Sequence, residues 1–287
     1  MSDNSFTNKK ELRFVFTLAI PGTTIIIDGL RAIVEIEKGG GNQMGTLHTQ
    51  IYGVSQSDMN SITTLTYDTV NITKNTIQVF AIDGDQETMV FQGDIRQAWG
   101  DYRSMPDVFL MVEAFTNVIN KLTPATPTSY KGSVSVVNAM NDLANAMGLT
   151  LENNGVSTQM AKVALSGTLH DQAMSLAQAA GIDIYIDDKI LAICPRNMPR
   201  QFNTMALISP ATGLIGYPTF DAFGVALKTL FNPAIMFGGH IQVVSSLPRA
   251  CGKFFVSSID HWLESEKPGG RWESTVIGTK NDDGSST

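Results

Sequence analysis

Two stretches 33 positions apart carry one pattern, and it fixes the middle of the chain. Residues 138–151 read NAMNDLANAMGLTL and residues 171–184 read DQAMSLAQAAGIDI, so Leu143, Ala144, Ala146 and Gly148 recur as Leu176, Ala177, Ala179 and Gly181. In each copy an alanine-rich run favours helix, a glycine closes it in the left-handed region, and alternating residues then favour strand. Leu169, Ala173, Leu176, Ala177 and Ala180 fall at helical spacing and predict one apolar face on the second helix. Ile182–Ile186 meets Asp187-Asp188-Lys189 and returns as Ile190–Ile193, which reads as a hairpin, so Asp187-Asp188 is a turn before it is a carboxylate pair. Residues 129–200 are therefore expected to form a small α/β domain with an internal helix–strand repeat, two copies being too few for a solenoid.

The flanks have a different period. Leu12, Phe14, Phe16 and Leu18 alternate with Arg13, Val15, Thr17 and Ala19 before a turn signal at Pro21-Gly22, and Arg31, Val34 and Ile36 lie in a second extended run. Lys38-Gly39-Gly40-Gly41-Asn42 marks a loop, because three glycines cost backbone entropy on ordering. Leu47–Tyr52, Ile77–Ile82 and Met89–Phe91 are further strands, the last two joined through Asp83-Gly84-Asp85. One short helix over Ser57–Leu65 is expected, capped by Ser57 or Asp58. Val108–Val112 is a continuous apolar run that fits a buried strand, and Pro106 disfavours helix before it. After two prolines in Thr123–Thr128 and the central domain, strands resume at Met205–Ile208, Val225–Leu230, His240–Val244, Lys253–His261 and Arg271–Gly278. The fold expected is mainly β with an α/β insert: two related β-barrel domains at 1–122 and 201–280 around the α/β domain, with a flexible tail at 281–287.

Composition narrows the function classes. The 287 residues carry 20 Lys+Arg against 27 Asp+Glu, a net charge of −7, and are only 16% charged but 43% hydrophobic. That is enough apolar material for sizeable cores, and the acidic balance argues against a protein that coats nucleic acid. The polar opening MSDNSFTNKK reads as a tail entering a first strand rather than a signal peptide, and no apolar run approaches the roughly 18 residues of a membrane span. A chain made in the cytoplasm, without membrane insertion, is expected. Cys194 and Cys251 match no zinc or redox spacing; free thiols in a reducing compartment are favoured over one long-range disulfide.

No motif for catalysis, cofactor or metal emerges. His48, His170, His240 and His261 are scattered, and Asp83, Asp85 and Glu87 lack the twelve-residue calcium loop. Gly213-Leu-Ile-Gly216 lacks the glycine spacing and lysine of a nucleotide loop, no GxSxG elbow occurs, and His240 and His261 neighbour Cys251 only in sequence. Glu152 and Asp183 are the carboxylate pair that an alternative reading as a peptidoglycan-acting enzyme would need, facing each other across a cleft. More informative is the segment 216–239, with Phe220, Phe223, Phe231 and Phe237 and charges only at Asp221 and Lys228. These aromatics fit either an ordinary barrel core or a subunit interface, where Phe, Tyr and Met are enriched.

That segment and its continuation carry a family likeness. LIGYPTFDAFGVALKTLFNPAIMFGGHIQV at 214–243, GKFFVSSIDHWLES at 252–265 and GGRWESTVIG at 269–278 resemble the carboxy-terminal barrel of baseplate hub proteins of contractile-tailed bacteriophages. LHTQIYGVSQSDMNSITTL at 47–65 and the run from IQVFAIDG at 77 to MVEA at 114 resemble the first barrel of such hubs. The resemblance implies a non-enzymatic homotrimer in the virion's tail baseplate, with two barrels per chain giving a pseudo-six-fold ring. Its partners would be the tail tube protein, the central spike protein and baseplate wedge proteins, with DNA passing through the lumen without specific binding. Asn232-Pro233 and Gly238-Gly239 would sit in turns of the second barrel and His261 on its strand without an enzymatic role. No lysozyme-like or peptidase-like region accompanies it.

Overall fold

The computed structural model describes residues 10–19, 23–39, 43–64, 74–103, 105–202, 205–220 and 224–280. Pro21-Gly22, Gly40, Gly41, Asn42, Leu65, Phe223 and both terminal tails, on which expectations were placed above, lie outside the described residues. The chain is mainly β with a few helices, as its alternating flanks imply. It forms two compact units. One draws on residues 1–37, 46–116 and 260–274, the other on 38–45, 117–259 and 275–287.

In the first unit, Lys10–Thr17 pairs antiparallel with Thr24–Ile27 on one side and Thr76–Asp83 on the other. The ladder continues through Gln86–Asp101, Phe109–Phe115 and Thr46–Tyr52 to residues 32–37. One face of every strand is apolar, and register aligns these residues: Phe14 opposes Val79, Ile36 opposes Leu47, and Leu47 opposes Ala114. All are buried, so period-two alternation becomes a one-sided core. The 76–83 strand turns at Gly84-Asp85, with Gly84 at φ 61°, a conformation that favours glycine.

Two local expectations need correction. Phe109–Phe115 is not buried on both faces. Leu110, Val112 and Ala114 point inward while Phe109, Met111, Glu113 and Phe115 are half-buried, because only one face of this sheet carries core. Helix α1, Gln56–Ile62, is capped not by Ser57 or Asp58 but by Ser55, whose hydroxyl accepts the Asp58 backbone N–H at 3.1 Å. The cap must stand before the first turn to reach its free N–H groups.

The second unit contains the repeat. After a short helix α2, Val118–Leu122, come α3, Val136–Met147, and α4, Leu169–Ala180. They close at Gly148 (φ 73°) and Gly181 (φ 65°), the two glycines that the sequence pattern aligned. Thr168 and Asp171 form a reciprocal capping box at the start of α4. Strand Thr150–Asn153 lies parallel to Ile190–Pro195, which pairs antiparallel with Ile182–Asp187. Leu143, Met147, Leu176 and Ala177 pack with Leu191 and Ile193 into one core.

The unit's other core is built on strands. Ala206–Ile208 runs parallel to His240–Val243, which pairs antiparallel with the start of Gly252–Ser265. Thr219–Phe220 pairs antiparallel with Gly224–Leu230, which is followed in the sheet by residues 275–279. Val225, Leu227, Ile241, Phe254, Val256 and Val276 fill the core. Close approach explains one glycine: a Cβ on Gly224 would stand 2.0 Å from the Gly278 carbonyl oxygen. The two closed barrels expected from the sequence are not found among the described residues: neither unit's strands close on themselves, and Thr24–Ile27, Thr219–Phe220 and Ala206–Ile208 each pair with one strand only and remain as open edges.

Candidate assembly surface

The Thr219–Phe220 edge of the second unit is prepared by the segment before it. Leu214 bridges Thr229, the Ile215 N–H donates to the Lys228 carbonyl at 2.7 Å, and Thr219 then pairs with Ala226. Residues 214–220 thereby track one side of Gly224–Leu230 and leave their own outer side uncovered. Tyr217 is 71% exposed and Phe220 56% exposed on that edge, with Leu230 exposed nearby. Of the three described phenylalanines among the four singled out in the sequence, Phe220 alone is exposed. Phe231 is half-buried, and Phe237 is buried with its ring edge-on to Tyr185 at 5.6 Å. Its apolar area is already taken up inside the unit.

The open edge of the first unit, Thr24–Ile27, exposes Ile26 at 61%. On the solvent face of the same unit, register lines up Glu35, His48, Glu113 and Gln97 across four strands. His48 Nδ1 lies 3.9 Å from Glu113 Oε1, and Glu37 is exposed one step along from Glu35. The row places two carboxylates, Glu35 and Glu113, on a face that also carries half-buried Met111 and Phe115.

Sequence reasoning missed a buried ionic cluster in the second unit. Lys38 Nζ donates to Asp187 Oδ1 and Asp188 Oδ2, both at 2.8 Å. Arg200 is wholly buried: Nε and Nη2 grip the two oxygens of Glu152 at 2.9 Å, and Nη1 reaches Asp187 at 2.9 Å and the Phe237 carbonyl at 3.1 Å. Asp187-Asp188 is thus a turn, as expected, and a cation site as well. Burial pushes the Asp187 and Glu152 carboxyls up, but Lys38 and Arg200 for the first, and Arg200 with Asn154 for the second, hold both below their ordinary values. No spacing signals this cluster, since its bonded pairs stand anywhere from 13 to 150 residues apart.

The same geometry bears on the enzymatic alternative. Glu152 is spent on Arg200, and its depressed pKa is the wrong direction for a general acid. Asp183 accepts the Asn197 N–H at 2.7 Å. His261 Nδ1 meets the Ser274 hydroxyl at 2.8 Å, both buried, and His170 is buried on α4 with its pKa lowered by burial and Lys121. Glu87 is held by Arg13 at 2.8 Å. Among the described residues no three His, Cys, Asp or Glu side chains form a metal-binding group, and no helix is long and apolar enough to cross a membrane. Cys194 and Cys251 are both free thiols, the first buried and pushed up to about 12 by that burial.

The fold is that of phage tail proteins. It is similar to the 43 kDa tail protein of prophage MuSo2 from Shewanella oneidensis, with TM-score 0.62 and 10% identity over 93% of this chain and 96% of that one. The tail protein from Neisseria meningitidis MC58 gives TM-score 0.62 and 9% identity over 93% and 97%. An Escherichia coli component of the type VI secretion system, c3393, gives TM-score 0.57 and 8% identity over 93% and 77%. The curated proteins contain no match. The model of the baseplate hub gp41 family matches residues 12–269, and the chain belongs to that family. It is a structural component of a phage tail baseplate.

Proposed function

We propose that three copies of this chain close into a ring with pseudo-six-fold character, joining the tail tube to the central spike around the DNA passage. In this reading residues 1–122 and 201–280 are the two related barrel-type lobes, completed by neighbouring copies, and residues 129–200 decorate the ring or contact the spike and wedge proteins. The chain is non-enzymatic and is made in the host cytoplasm before entering the virion.

The observation that carries the reading is that each unit presents an open strand edge, and the two are unlike. A head-to-tail contact between non-identical surfaces closes a ring when the rotation permits, and an uncovered strand edge is a template for another chain. Thr24–Ile27 with Ile26, and Thr219–Phe220 with Tyr217, are such edges. The Glu35 and Glu113 carboxylates suit a lumen wall, because like charge keeps phosphate from adhering.

Light scattering of the purified chain, alone and with its spike partner, tests this. A mass near three times 31.1 kDa is expected, in a concentration-dependent equilibrium for the chain alone. A chain that stays monomeric with spike and tube proteins present, or that closes as a dimer, overturns the proposal.

A further inference from the structure

The second unit holds two apolar cores with no residue in common, one built on α3, α4 and the 182–195 hairpin, the other on the strands around Ile241 and Phe254. Between them the Tyr185 ring of the hairpin packs on Phe237 and Phe255 of the strand side, and beside it lies a polar cluster centred on Arg200. Its guanidinium faces Glu152 and Asp187 on the helix–strand side and the Phe237 carbonyl on the strand side. The Arg200 N–H donates to the Gly238 carbonyl at 2.8 Å, and the next N–H, of Gln201, donates to Asn154 Oδ1 at 2.7 Å.

We propose that Arg200 is a positioning residue, a directional joint that sets the helix–strand segment of residues 117–195 on the strand-built segment of residues 206–259. Apolar contact is non-directional, whereas a planar fork with bonds to two carboxylates and a carbonyl fixes an orientation. Both acceptors are themselves held: Glu152 also accepts from Asn154 Nδ2 at 2.9 Å, and Asp187 from Lys38. The surroundings are shaped to the arginine stem. Gly238 sits at φ 77°, where a Cβ would lie 3.0 Å from Arg200 Cδ, and the Phe202 ring lies 4.9 Å from the guanidinium carbon. A buried ion pair adds little stability over well-packed apolar side chains, so geometry is the return on burying this charge completely. The joint stands whether or not the chain forms a ring.

Hydrogen exchange on the full-length chain, comparing wild type with Arg200→Met, Arg200→Lys and Glu152→Gln, tests the joint. Arg200→Met should speed exchange of residues 196–202 and 235–239 by about tenfold or more, while α3, α4 and residues 252–259 keep their protection. Arg200→Lys should fall between, since an ammonium keeps the charge but not the fork, and Glu152→Gln should give the same local pattern more weakly. Unchanged exchange at both loops overturns the proposal. So does faster exchange throughout both cores, or an Arg200→Met chain that fails to fold while Glu152→Gln loosens every segment equally; Arg200 is then a general stabiliser.

Discussion

Asp187→Asn isolates the cost of one charge at the centre of the ionic cluster. The carboxylate accepts from Lys38 at 2.8 Å and Arg200 at 2.9 Å and is almost fully buried. An asparagine offers one acceptor to two cations and turns its amide donors towards the other. Breaking a buried pair costs roughly 3–5 kcal/mol, and the lower end, about 3 kcal/mol, applies because Lys38 keeps Asp188 and Arg200 keeps Glu152. With an m-value of about 3 kcal/mol/M for a chain of this size, the urea midpoint should fall by about 1 M. Asp183→Asn on the same strand is the control, since it disturbs one hydrogen bond and should cost about 1 kcal/mol. The pH arm has a definite sign. The native Asp187 carboxyl lies below its unfolded value, so its contribution is complete above the ordinary carboxylate range and disappears as pH falls through the native value. The gap between wild type and Asp187→Asn should therefore be flat near neutrality and narrow below about pH 4. Lys38, held above the ordinary lysine range by the two aspartates despite burial, adds no slope there. If Asp187→Asn costs no more than Asp183→Asn, the cluster does not bear on stability as argued.

Three further outcomes are expected. Gly224→Ala should force Gly224–Leu230 away from the strand bearing Gly278, lowering stability by about 3 kcal/mol in urea unfolding, since a Cβ has no room beside the Gly278 carbonyl. Gly181→Ala meets nothing within 4 Å and should cost only the left-handed backbone, about 1 kcal/mol by the same measurement. Tyr217→Asp with Phe220→Asp should leave the far-ultraviolet circular dichroism of the chain unchanged but shift light scattering towards the monomer. Retention of the assembled mass would remove this edge from the interface.

Much of the fold was legible because it rests on local periodicity. Alternation in Leu12–Phe16 forces one side of a strand inward, and the glycines at 148 and 181 end helices wherever they are packed. Other features depended on which segments meet. The Val108–Val112 run reads as doubly buried until its sheet is seen to have core on one face only. Sequence held no distinction between Phe220 on an edge and Phe237 inside, because both stand in one nearly uncharged segment.

Alternating and helical patterns, turn residues and the family likeness of residues 214–278 are properties of neighbouring positions, and sequence alone settled those. The meeting of Lys38, Glu152, Asp187 and Arg200 was decided only in three dimensions. Long-range ion pairing leaves no periodic mark, because a charge is indifferent to how far along the chain its partner stands.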